Sequence, residues 1–276
     1  MRPAMEEQFS LFTVEALCFA YGSNTALKDV SFTVSAGESI AILGANGSGK
    51  STLLKIMDGL MYPASGSVSF LGERITEERL QGSFLKSFRE RVSFVFPEPD
   101  VQLFCPTVLE ELMFGPLQLG LKEAEAVKRA EELLKMLGIE AITKRPPYTL
   151  SSGEKKKVAI ASVLAINPDV LLLDEPTNGL DPRAQVWLFE LLERLKELKK
   201  TIILATHDLS LAGDLCERVM VLDEAHSLVA DGPTEQVLKD KDLLLAANII
   251  HEHAHRHGHI IHRHSHGPYS THDEHE

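Results

Sequence analysis

Between a short apolar run, Ile40 to Leu43, and a helical stretch, Ser51 to Asp58, the chain reads Gly44-Ala45-Asn46-Gly47-Ser48-Gly49-Lys50-Ser51. This string satisfies G-x-x-x-x-G-K-[S/T], and its setting after a strand and before a helix matches as well as its letters. Glycines at 44, 47 and 49 let backbone N–H groups turn inward on phosphate oxygens, and the helix N-terminus adds a positive dipole. Lys50 supplies a fixed cation, Ser51 a hydroxyl for Mg²⁺, and Asn46, Ser48 and Thr52 complete the loop and its first helical turn. A strand, loop and helix in that order commit the chain to an α/β fold with a parallel sheet.

Further apolar runs fit such a sheet: Val92 to Phe96, Val170 to Leu173, Ile202 to Ala205 and Val219 to Leu222 are short and unbroken, as in strands covered on both faces. Trp187, Leu188, Leu191, Leu192, Leu195 and Leu198 recur at helical spacing after Asp181-Pro182, which predicts a crossover helix with an N-cap and a first-turn proline. A second helix is expected over Glu123 to Leu137, ending at Gly138, in a region without clear strands. The N-terminal stretch Leu11 to Val34 alternates, and Ser67 to Phe70 before Gly72 reads as an antiparallel strand.

The run Val170 to Leu173 ends on Asp174-Glu175, two carboxylates at the C-terminal end of a buried strand, where open α/β sheets place ligands. Asp174 suits the magnesium shell, and Glu175, one residue further out, suits the base that takes a proton from attacking water. Lys plus Arg number 28 against 40 Asp plus Glu, a formal net charge of −12, which repels phosphate backbones and argues against nucleic acid as a partner. The three cysteines, Cys18, Cys105 and Cys216, have neither disulfide-framework nor zinc spacing, and a reducing cytoplasm suits them. No apolar run approaches the ~20 residues of a membrane span, so a membrane role is expected to pass through a partner.

Leu150-Ser151-Ser152-Gly153-Glu154 resembles the L-S-G-G-Q/E signature of ABC-transporter ATPases, and the likeness extends from about Thr13 to Asp240. The resemblance implies an ABC-type fold: a RecA-like P-loop core, an N-terminal antiparallel β subdomain and a helical signature subdomain inserted at about residues 99–157. It also implies ATP and Mg²⁺ as ligands. Ser151 and Gly153 would contact the γ-phosphate held by the second subunit of a head-to-tail homodimer; an ordinary helix cap is the plainer alternative for Ser151-Ser152-Gly153, preferred only in the absence of the other motifs. By the same resemblance Tyr21 stacks on adenine, Asp181 in Pro176 to Pro182 communicates between the two sites, and His207 in Thr206-His207-Asp208 senses the γ-phosphate beside Glu175.

One segment departs from that pattern. The subfamily commonly reads Phe-Gln-x-Pro-Asp-x-Gln-Leu-Phe, whereas this chain has Phe96-Pro97-Glu98-Pro99-Asp100-Val101-Gln102-Leu103-Phe104. Proline has no amide side chain and no N–H, so it cannot make the magnesium or water contact attributed to that glutamine. Glu98 and Gln102 both remain candidates to replace it.

The residues around that loop, through Thr107 to Glu111 and Phe114-Gly115-Pro116, resemble the ATPases of energy-coupling-factor importers for vitamins and transition metals. Of 12 histidines, ten lie at or beyond His251. His251, His253, His255, His257 and His259, then His262, His264 and His266, alternate with other residues, and neutral imidazoles suit Ni²⁺, Co²⁺, Zn²⁺ and Cu²⁺. The expectation is an ABC ATP-binding domain over 1–240 and a mobile, metal-binding tail over 241–276. It would serve cobalt or nickel uptake, held at the cytoplasmic face of the membrane by membrane-embedded subunits. A soluble ABC ATPase of translation or DNA repair is the alternative, but the chain lacks a second cassette and its acidity opposes nucleic-acid binding. A vitamin importer with a metal-buffering tail is another.

Overall fold

The computed structural model describes residues 10–257 and 260–266, with the backbone alone from 251 onward. In chain order the elements are β1 (Ser10–Tyr21), β2 (Asn24–Ser35), β3 (Ser39–Leu43), α1 (Lys50–Met57), β4 (Ser65–Phe70), β5 (Glu73–Arg74), α2 (Ser83–Arg91) and β6 (Val92–Val95). Then follow α3 (Val108–Gln118), α4 (Glu123–Met136), α5 (Ser152–Leu164), β7 (Val170–Asp174), α6 (Pro182–Glu197), β8 (Thr201–Ala205) and α7 (Leu209–Leu215). The chain continues through β9 (Arg218–Leu222), β10 (Leu228–Pro233), α8 (Thr234–Lys239), α9 (Lys241–Ala246), β11 (His251–His257) and β12 (Ile260–His266).

Six strands form a central sheet in the order β10-β9-β3-β8-β7-β6, parallel except for β10, which runs antiparallel to β9. Both faces are covered, so neighbouring residues of one strand enter different cores. Ile40, Ile42, Leu172 and Ile203 pack with α1 and the antiparallel sheet β2-β1-β4-β5, while Ala41, Leu43, Leu171 and Leu204 pack with Leu188, Leu192 and Val158 on the other side. That two-sided burial explains why the strand sequences are unbroken rather than alternating.

The expected domain boundary at residue 240 falls short. Helix α9 starts at Lys241, capped by Asp240 accepting from the Leu243 amide, and Leu244, Ala247 and Ile250 are buried in the main core. A six-residue helix is too short to show a period, which is why the sequence did not reveal it. The tail, expected to be mobile, is described as an antiparallel pair of strands over 251–257 and 260–266. Its histidines recur every second residue, which is the period of a strand. His259 lies outside the described residues.

Candidate active site

The loop from Gly44 to Gly49 joins β3 to α1, and its glycines are required by contact as well as by dihedral angle. Gly49 has φ 109°, and a Cβ there would collide with the Ala26 carbonyl oxygen; one at Gly44 would come within 2.5 Å of the Leu222 carbonyl oxygen. Lys50 is buried, and its Nζ donates to Gly44 O at 2.7 Å and Ala45 O at 3.1 Å, with Glu175 Oε1 3.8 Å away. Burial pulls its ammonium below the usual lysine range, while Glu175 and Asp174 oppose that shift.

Asp174 and Glu175 arrive at the end of β7. Ser51 Oγ donates to Asp174 Oδ1 at 2.8 Å, while Asp174 Oδ2 and Ser48 Oγ are buried with no partner among the described residues. Burial raises the Asp174 carboxyl above the ordinary range; the Ser51 hydrogen bond opposes the rise and Glu175 adds to it. A hydroxyl beside an unsatisfied carboxylate oxygen is a hard, oxygen-only donor set, and it fits Mg²⁺. Glu175 has φ 44°, a left-handed backbone held by its amide donating to Ala205 O at 2.9 Å. Glu175 Oε2 lies 2.9 Å from His207 Nδ1, so β7 and β8 together bring carboxylate and imidazole into hydrogen-bond reach.

A cavity of about 340 Å³ is lined by Tyr21, Asn24, Thr25, Ala26, Asn46, Gly47, Gly49, Lys50, Ser51, Thr52 and Glu175. The ring of Tyr21 is half exposed, stacked edge-on against Phe19, with its hydroxyl 3.3 Å from Thr52 Oγ1. Asn24, Thr25 and Ala26, the first residues of β2, were not singled out from sequence, because nothing in the opening of an alternating strand marks it as a cavity wall.

Ser151, Gly153 and Asp181 do not line this cavity. Ser151 caps α5 in a reciprocal capping box with Glu154, and Asp181 Oδ1 caps α6 by accepting from the Ala184 amide at 2.8 Å. Ser152 Oγ donates to Gly179 O at 3.3 Å, which ties the two exposed helix starts together.

At the Pro97 departure, Gln102 is occupied structurally: its Oε1 accepts from the Phe96 amide at 3.2 Å and its Nε2 donates to Ala159 O at 2.8 Å. The residue that reaches Pro97 was missed from sequence. Lys156, 1% exposed, donates from Nζ to Pro97 O at 2.8 Å and Phe96 O at 3.3 Å. Burial pulls its ammonium down to about 8, against the pull of Asp174 and Glu175.

A phosphate-cradling loop, a fixed lysine and a paired carboxylate at adjoining strand ends define a P-loop nucleotide-binding fold. The family model described as ABC transporter matches residues 27–178. The nickel import ATP-binding protein NikO of Rhodobacter capsulatus is 44% identical over 243 residues, covering 87% of this chain and 95% of that protein. Among solved structures, CbiO1 of Clostridium perfringens, described as part of the ABC transporter complex CbiONQ, has a TM-score of 0.72 at 38% identity, covering 87% of this chain and 95% of its own. A dimeric ATP-binding cassette in a post-hydrolysis state with ADP and Pi matches with a TM-score of 0.72 at 30% identity, covering 81% and 98%. The chain belongs to the ABC transporter family. The energy-coupling factor transporter ATP-binding protein EcfA2 of Methanospirillum hungatei is 40% identical over 240 residues, covering 87% of this chain and 59% of that protein, and with the NikO and CbiO1 matches it bears out the likeness to energy-coupling-factor ATPases of the cobalt and nickel kind that the motifs carry.

Proposed function

We propose that this chain is the ATP-hydrolysing subunit of an energy-coupling-factor importer that powers nickel or cobalt uptake. The observation that carries the reading is the convergence of Lys50, Ser51, Asp174, Glu175 and His207 at the ends of three adjoining strands. Tyr21 stacks on the adenine, and the amides from Gly44 to Ser51, with Thr52, hold the phosphates together with Lys50. Ser51 and Asp174 would hold Mg²⁺, which when bound would supply charge neutralisation for the phosphates. Glu175 takes a proton from water as the water oxygen attacks the γ-phosphorus; the bond from that phosphorus to the β,γ-bridging oxygen breaks, ADP leaves with the bonding pair, and inorganic phosphate is the other product, while His207, bonded to the same carboxylate, holds that base in place.

Ser151, Gly153 and Asp181 lie apart from the cavity, which is what a homodimer closing head to tail on two ATP molecules requires. Membrane-embedded partners dock on the exposed apolar patch of Val101, Phe104 and Phe114, the last two stacked edge-on at 4.8 Å. No helix among the described residues is long and apolar enough to cross a membrane, so association with the cytoplasmic face is peripheral in this reading. The tail histidines are the chain's contact with its transition-metal cargo.

Glu175→Gln tests the assignment. It should retain ATP binding, lower turnover by about 10²–10⁴, and accumulate the closed dimer. Unchanged steady-state hydrolysis would overturn the catalytic reading, and nickel- and cobalt-independent growth and uptake in a deletion strain would overturn the cargo.

A further inference from the structure

The register of the C-terminal ribbon adds something that the histidine count alone does not. β11 pairs with β12 so that His251 stands opposite His266, His253 opposite His264 and His255 opposite His262. Residues two apart on a strand share a face, so the six belong to one face of the ribbon as three consecutive opposed pairs. The residues between them, Glu252, Ala254 and Arg256 opposite Ser265, Arg263 and Ile261, belong to the other face.

Directly opposed residues of an antiparallel pair root their Cβ atoms ~4.5–5.5 Å apart, and successive pairs follow at ~7 Å along the strand. Histidines at opposed and successive register positions of one face are the juxtaposition that a nitrogen-rich dication site needs, and such sites use up to four ligands. We propose that this face of the ribbon is a binding site for a first-row transition-metal dication, built from the opposed pairs His251–His266, His253–His264 and His255–His262. Nitrogen-only donors select Ni²⁺, Co²⁺, Zn²⁺ or Cu²⁺ and reject Mg²⁺, so the ribbon and the oxygen-lined nucleotide site take different ions. A dication also offsets the acidity of the chain, whose formal net charge is −12.

The proposal rests on the tail's role in the reading above, but its test needs no transport. Full-length protein without nucleotide is titrated with NiCl₂ by calorimetry, in the presence of excess Mg²⁺. One triple variant, His262→Gln, His264→Gln and His266→Gln, leaves every opposed pair with a single imidazole. A second, His257→Gln, His272→Gln and His275→Gln, removes as many histidines from outside the pairs; His257 stands opposite Ile260. The expected result is Ni²⁺ binding that persists in Mg²⁺, weakened at least about tenfold in the first variant and by less than about threefold in the second. Equal losses in the two variants, no loss in either, or no Ni²⁺ binding by the wild type would each overturn the paired site. Because hydrolysis and uptake are read separately, failure of the metal titration leaves the transporter assignment standing.

Discussion

Replacing Lys156 by Met isolates the buried cation beside the nucleotide site. Burial lowers the Lys156 pKa from 10.5 to about 8, and a displacement of that size sets a ceiling of about 3 kcal/mol on the destabilisation from keeping the charge inside at neutral pH. The native state sheds this proton near pH 8, whereas the unfolded chain holds it until about 10.5. Between those values the unfolded state binds more protons, so this residue makes wild-type stability rise with pH. Methionine has similar bulk and no proton to lose. It also leaves the carbonyl oxygens of Pro97 and Phe96, now 2.8 and 3.3 Å from Nζ, without their donor, at a cost of about 1–3 kcal/mol. The two effects nearly cancel at pH 7, where the variant should lie within about 2 kcal/mol of wild type. By pH 10 the variant should fall behind by a further ~2–3 kcal/mol. Urea unfolding of both proteins from pH 7.5 to 10 measures the difference, in which titrations common to both cancel. A difference that stays flat to within about 0.5 kcal/mol would refute the reasoning.

Lys50→Ala should abolish tight ATP binding, because Lys50 is the one cation of the motif Gly44 to Ser51; nucleotide titration at wild-type affinity would contradict this. Gly49→Ala places a methyl against the Ala26 carbonyl at φ 109°. It should destabilise by at least about 1–3 kcal/mol and weaken nucleotide binding, read by thermal unfolding with and without ATP. Pro97→Gln should alter the ATPase rate, its magnesium dependence or its coupling to uptake while shifting stability by only about 0.4–1 kcal/mol. A variant equal to wild type in all three would show that the side chain at 97 is idle.

Gly44 to Ser51 and Asp174-Glu175 were legible because each motif is contiguous and follows an apolar run, and His207 was recognised through family likeness; they meet in space. Lys156 was not legible, since Lys155-Lys156-Lys157 reads as a solvated charge run. Its signal was its helical phase, for Lys156 shares a face with buried Ile160 and Val163. Gln102 and Glu98 could not be separated without knowing that the Gln102 amide would be spent on the Phe96 and Ala159 backbone. Ser151 and Asp181 were recognised through family likeness, while both also serve as local caps, and a cap is visible in sequence only as a residue type. The last helix was hidden by its brevity.

The strands that carry the site share one row of the sheet: Ile42 stands beside Ala205, and Ala205 beside Asp174. β3 also lies between β8 and β9, which are made some 160 residues after it. A chain emerging from the ribosome thus carries its phosphate loop long before it owns the strands that hold the loop in shape, and local pairing cannot substitute for them. Nucleotide capture should therefore require synthesis through β9. Nascent chains halted before Leu222 should fail to retain ATP, and the ligand, once bound, should act as a latch on the finished sheet.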